Sequence, residues 1–78
     1  LRLISVMVTG DTGTTQAFDV SAYDSSLNYI YAVVSLINNT DTDESLLAAA
    51  TTVAHETGIL TFTVGGATDT TLITLIAG

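Results

Sequence analysis

Residues 46–62, LLAAATTVAHETGILTF, decide between two folds. Read with a period of 3.6, Asp41 caps a helix and Glu44 closes a capping box. Leu46, Leu47, Ala50, Val53 and Ala54 then form one apolar face, ending at Gly58 in the C′ position. Read with a period of two, residues 51–55 form a strand, Glu56-Thr57-Gly58 a turn, and residues 59–64 a second strand. Leu60, Phe62 and Val64 share a face of that second strand. The β-branched run Thr51, Thr52 and Val53 falls at the centre of the would-be helix, where such side chains lose χ1 freedom. A glycine that closes a short turn between two such runs suits a hairpin with a bulge. The hairpin is therefore favoured, which leaves room for one short helix near residues 44–50.

The flanking segments read mainly as strands. In residues 3–9, Ile4, Val6 and Val8 alternate with Leu3, Ser5 and Met7, a pattern apolar enough for partial burial on both sides. Gly10-Asp11-Thr12-Gly13 supplies turn chemistry and reads as the turn of a hairpin. Residues 15–20 resume a strand pattern through Ala17, Phe18 and Val20, and residues 21–28 read as a polar loop. Residues 29–37, YIYAVVSLI, are β-branched and aromatic on both faces, which predicts a central strand. Residues 38–43 are a polar loop. Gly65-Gly66-Ala67-Thr68-Asp69 turns the chain into a last strand over residues 71–76. Fifteen threonines suit the half-exposed faces of sheets. The fold expected over residues 1–78 is one all-β domain, a small antiparallel β-sandwich or barrel of six to seven short strands.

Composition excludes several functions. Arg2 is the only Lys or Arg against eight Asp and Glu, giving a net charge of −7. Phosphate backbones and anionic membranes are bound by clustered cations, so neither nucleic acid nor membrane is an expected partner. The longest apolar runs, residues 29–37 and 46–54, are about half the ~20 residues that a bilayer-spanning helix requires. No stretch has a basic n-region followed by a small-residue cleavage site, so no signal segment is expected. With no Cys and one His, disulfides are absent and metal or cofactor chemistry has few ligands. A small fold that is 47% hydrophobic, with a mean hydropathy of +0.55, cannot hide all its apolar surface. Oligomerisation, or docking onto a larger body, is the expected remedy.

Few constellations carry chemistry. Asp11-Thr12-Gly13 resembles the Asp-Thr-Gly of retroviral-type aspartic proteases, in which two subunits each supply one carboxylate of a dyad. Gly10 stands where that family has a hydrophobic residue, and only ten residues precede Asp11. A turn is the favoured reading. Asp41, Asp43 and Glu44 cluster oxygen ligands but lack the glycine and ligand number of a calcium loop. His55 beside Glu56 has no nucleophile elbow and reads as a surface or interface histidine. Asn38-Asn39-Thr40 matches a glycosylation sequon. Tyr23, Tyr29 and Tyr31 are equally suited to core packing and to anchoring an interface. No catalytic, cofactor or metal residue is assigned.

Residues 46–62 also resemble a hairpin of small structural proteins in tailed-phage virions. In those proteins a Thr-Val strand enters a Glu-Thr-Gly or Asp-Thr-Gly turn, and an Ile/Leu-Thr-Phe-Thr strand leaves it. The resemblance implies a non-enzymatic virion structural protein, a capsid decoration (cement) or fibre-type subunit on the outer capsid surface. Its partner would be the major capsid protein or another virion protein. A cell-surface filament or pilus-like subunit is the alternative, recognised by a terminal donor strand that is unpaired in its own subunit. An aspartic protease built on Asp11 is a third.

Overall fold

The computed structural model describes residues 1–38, 45–46 and 52–78. Among these, seven strands and one helical turn follow in the order β1 (Arg2–Thr9), β2 (Thr15–Asp19), α1 (Val20–Tyr23), β3 (Ile30–Asn38), β4 (Ser45–Leu46), β5 (Thr52–Ala54), β6 (Ile59–Thr63) and β7 (Thr70–Ala77). They form two antiparallel sheets, β1-β7-β3-β4 and β2-β6-β5. The fold is all-β, and it is two separate sheets rather than one closed barrel.

The hairpin reading holds. β5 and β6 pair antiparallel, with Val53 opposite Leu60 and Ala54 opposite Ile59. Gly58 takes φ +70° in the turn, a conformation that a Cβ would strain. In the region of the proposed short helix, Ser45 and Leu46 are instead extended and pair with β3. Its remaining residues lie outside the described ones. The helical turn that does form was read as the end of a strand and the start of a loop. Asp19 explains it: its Oδ1 accepts from the Ser21 backbone N–H (2.9 Å) and hydroxyl (2.7 Å), satisfying donors at the helix start.

Two sequence expectations about chain reversal and cover also change. Residues 10–14 connect β1 to β2, which lie in different sheets, so this turn crosses the core instead of closing a hairpin. β3 does lie inside its sheet, between β7 and β4, but its outer face is uncovered: Tyr31 and Val34 are exposed. β1 is likewise covered on one face only, with Ile4 buried while Leu3 and Met7 are exposed. Among the described residues there is one second sheet, and it covers one side of the first.

The core fills the space between the sheets. Ile4, Leu36, Ile73, Leu75 and Ala77 from the larger sheet cluster with Phe18, Leu60, Phe62 and Val64 from the smaller side. Leu60, Phe62 and Val64 share the inward face as their alternation requires. Each fully buried large side chain contributes about 1.5–3 kcal/mol by leaving water. β7 organises the larger sheet, pairing with β1 along eight residues and with β3 on its other side. Thr71 on β7 departs from the half-exposed role of the other threonines. It is buried, and its hydroxyl has no hydrogen-bond partner among the described residues.

Backbone bonds extend the smaller sheet and tie it to the larger. Val20 N–H donates to the Gly58 carbonyl (2.9 Å) and Val64 N–H to the Thr14 carbonyl (2.8 Å), both continuing the β2–β6 register, while Ile30 N–H donates to the His55 carbonyl (3.0 Å) and joins the two layers. His55 adds a second link, its Nδ1–H donating to the Ile30 carbonyl at 2.6 Å. A carbonyl can only accept, so that contact assigns the ring proton to Nδ1.

Candidate functional site

Among the described residues, no element covers the outer face of the four-stranded sheet. Its side chains follow from register. Leu3 lies opposite Ile76, and Ile76 opposite Ala32; Ser5 opposite Thr74, and Thr74 opposite Ser35. Met7 lies opposite Leu72, and Leu72 opposite Ile37, while Thr9 faces Thr70. The face is therefore ruled in rows that alternate apolar and hydroxyl across three strands. Within the hydroxyl rows, Ser5 and Thr74 oxygens lie 3.1 Å apart and those of Thr9 and Thr70 3.0 Å apart. These cross-strand contacts hold the rows in line. Two bulges in β3, at Tyr31 and Val34, interrupt its pairing with β7, and both residues project as exposed apolar groups.

None of the residues in these rows is charged. Three strands at about 4.8 Å spacing and eight residues at about 3.3 Å make a sheet surface of roughly 380 Å². Apolar rows and hydroxyl rows share that area, and exposed apolar surface rimmed by polar groups often marks a contact surface. Leu3 is 69% exposed and Met7 51% exposed, so water covers large aliphatic side chains there.

The charges sit elsewhere. Asp11 and Asp69 lie in turns, Asp19 and Asp24 flank α1, and Glu56 lies in the β5–β6 turn. Arg2 Nη1 is 2.7 Å from Asp24 Oδ2, an ion pair between β1 and the residue after α1. Arg2 holds the Asp24 carboxyl down at about 2, with the Ser26 N–H and hydroxyl adding to the effect. The Ser21 hydroxyl, then its N–H, lowers the Asp19 carboxyl.

The residues singled out in the sequence do not converge. Asp11 is exposed in the crossover turn, with a 3.3 Å bond from the Thr12 hydroxyl. His55 serves as the link to Ile30 described above and also borders an open depression of about 490 Å³ with Tyr29, Ala54, Glu56 and Thr57. Tyr29 packs at 4.6 Å from Tyr31 and 6.1 Å from His55, ring centre to ring centre. Tyr23 and Tyr31 are exposed. Asn38 of the sequon is buried and its amide donates to Asp69 Oδ2 at 2.8 Å, which leaves no room for a glycan on that nitrogen. Asn39, Thr40 and the oxygen cluster Asp41, Asp43 and Glu44 lie outside the described residues. Among the described residues no three His, Asp or Glu side chains gather as a metal site, and no helix is long and apolar enough to cross a membrane.

Sequence reasoning missed the ruled face. One signal existed: β7 reads Thr-Thr-Leu-Ile-Thr-Leu-Ile-Ala, and its alternate residues Thr70, Leu72, Thr74 and Ile76 form one side. Which strands flank β7 cannot be seen without the pairing. Compared with known proteins, no family model, no curated protein and no solved structure matches the chain.

Proposed function

We propose that this chain is a non-enzymatic structural subunit that docks onto a larger protein assembly through the outer face of its four-stranded sheet. The uncharged, row-patterned apolar face carries this reading. Its mechanism is mechanical: apolar rows are buried across a joint between neighbouring subunits, so parting them would return that surface to water. The hydroxyl rows keep the free face wettable and can bond across the joint. A virion shell is the assembly that suits the chain best, with the protein as a capsid decoration (cement) subunit on its outside. The likeness of residues 46–62 to virion hairpins supports that setting. So does a net charge of −7, which packaged nucleic acid would repel. The filament alternative would need a donor strand other than β1 and β7, which pair with each other along eight residues.

Attachment through this face should be insensitive to salt, since apolar burial is not screened whereas exposed ion pairs are. Particles from the native source should retain the protein when NaCl is raised from about 0.1 to about 1 M. Leu72→Glu, at the centre of an apolar row, should keep the fold and lose at least about tenfold in rebinding to stripped particles, because an unpaired charge would be buried. Release by moderate salt, or undiminished binding by Leu72→Glu, would overturn the reading.

A further inference from the structure

The side chains around the depression beside His55 offer lone pairs and ring faces, and almost no donors. His55 commits its Nδ1–H to the Ile30 carbonyl at 2.6 Å, so the neutral ring keeps an acceptor at Nε2. The Thr57 hydroxyl donates to the Ala54 carbonyl at 3.5 Å, which leaves its oxygen to accept. Glu56 is a carboxylate and only accepts. Tyr29 adds an aromatic face, whose quadrupole is negative, and is backed by Tyr31 at 4.6 Å between ring centres. Of these side chains, the Tyr29 hydroxyl alone still has a proton to offer.

Glu56 also stands apart from the other described carboxylates. Asp11 accepts from Thr12, Asp19 from Ser21, Asp24 from Arg2 and Ser26, and Asp69 from Asn38 and the Gly66 N–H. Glu56 has no hydrogen bond or ion pair among the described residues. No other part of the chain brings a basic side chain to it, since Arg2 is the only Lys or Arg and is engaged by Asp24.

We propose that this depression takes an arginine side chain presented by a partner protein. A guanidinium is the complementary group: it has five donors and no acceptor, is always charged, and stacks on aromatic faces. Its fork suits the Glu56 carboxylate and its plane suits the Tyr29 ring. The volume of about 490 Å³ is ample for one such side chain, and the depression is open. Sites for free small molecules enclose most of the ligand's surface, so an open one fits a side chain carried on another surface. Exposed contacts of this kind are weak and screened by salt, so this one orients the chain on its partner while apolar burial holds it. The inference does not rest on the ruled face, because its test needs only the purified chain.

The test is an NMR shift titration of the purified chain at low salt and about pH 8, above the range in which histidines usually take up charge. The probes are N-acetyl-arginine methylamide, its citrulline equivalent (similar in shape but uncharged), its lysine equivalent, and free arginine. The capped arginine should give saturable shifts at millimolar concentration, largest at Tyr29, His55, Glu56 and Thr57. It should bind at least about fivefold more tightly than the citrulline probe, which lacks the charge, and at least about twofold more tightly than the lysine probe, which lacks the planar fork. Free arginine should bind no more tightly than the capped form, since no cation waits for its carboxylate. Glu56→Gln, in an exposed turn, should leave the rest of the spectrum unchanged and weaken capped arginine at least about threefold. The proposal is overturned by a lack of saturation at about 50 mM, or by shifts spread equally over all carboxylates. Equal binding of the citrulline or lysine probe, tighter binding of free arginine, or undiminished binding by Glu56→Gln would overturn it as well.

Discussion

Gly58 and Gly13 both have positive φ, at +70° and +72°, yet they are not equivalent. A Cβ on Gly58 would meet Val20 Cγ2 at 2.6 Å and the Asn28 backbone at 3.2 Å, whereas one on Gly13 would meet nothing within 4 Å. The left-handed conformation costs an alanine about 1–2 kcal/mol at either site. At Gly58 the clash adds about 1–3 kcal/mol, because Val20 is fully buried and cannot swing aside. Urea denaturation should therefore give a loss of about 2–5 kcal/mol for Gly58→Ala and about 1–2 kcal/mol for Gly13→Ala. Equal losses would mean that the β5–β6 turn does not seat against α1. The left-handed glycine at 58 was visible in the sequence, since both the helix and the hairpin reading required it. Its contact with Val20 was not, because the two meet only through the pairing of β2 with β6, which sets Asp19 opposite Ile59.

At the scale of elements, β1 is anchored to the end of α1 by Arg2 and Asp24. The Asp24 carboxyl has a folded value of about 2, depressed below its ordinary 3.8. A depressed carboxylate stabilises the fold above its unfolded value, and that stability is lost as pH falls from about 4 towards 2. Chemical-shift titration should find Asp24 near 2 in the native protein and closer to its ordinary value in Arg2→Ala. Stability over the same pH interval should fall less steeply in that variant. Both side chains are well exposed, so added salt should weaken the effect. Strands with an unambiguous period were legible in the sequence. Residues 3–9, 29–37, 59–64 and 71–76 each match an observed strand to within about two residues at either end. α1 was not legible, because Asp19 supplies a local cap inside a run whose Ala17, Phe18 and Val20 read as strand. The turn at residues 10–14 was recognisable as a turn, but turn chemistry does not reveal whether the flanking strands pair or part to opposite sheets. Of the proposed contact surface, composition implied only that apolar area would remain exposed; its place and its rows depend on β7 lying between β1 and β3.

Over the whole molecule, the pairing of β1 with β7 governs how folding proceeds. The hydroxyl contacts between these strands join residues 61 and 69 positions apart, so a long loop must close before they form. Folding dominated by such distant contacts is slow, and stopped-flow refolding of the isolated chain should be on the millisecond-to-second scale. A microsecond transition would show that the larger sheet does not limit the rate. The β5–β6 hairpin is local and can form early, but the larger sheet cannot, since β7 is the last strand in the sequence and bonds to both β1 and β3. During synthesis the ribosome must therefore deliver residues 70–77 before the ruled face exists. For the assembly subunit proposed above, competence to attach would in this way be timed by formation of β7, and partly made chains would carry no finished surface to offer a growing structure.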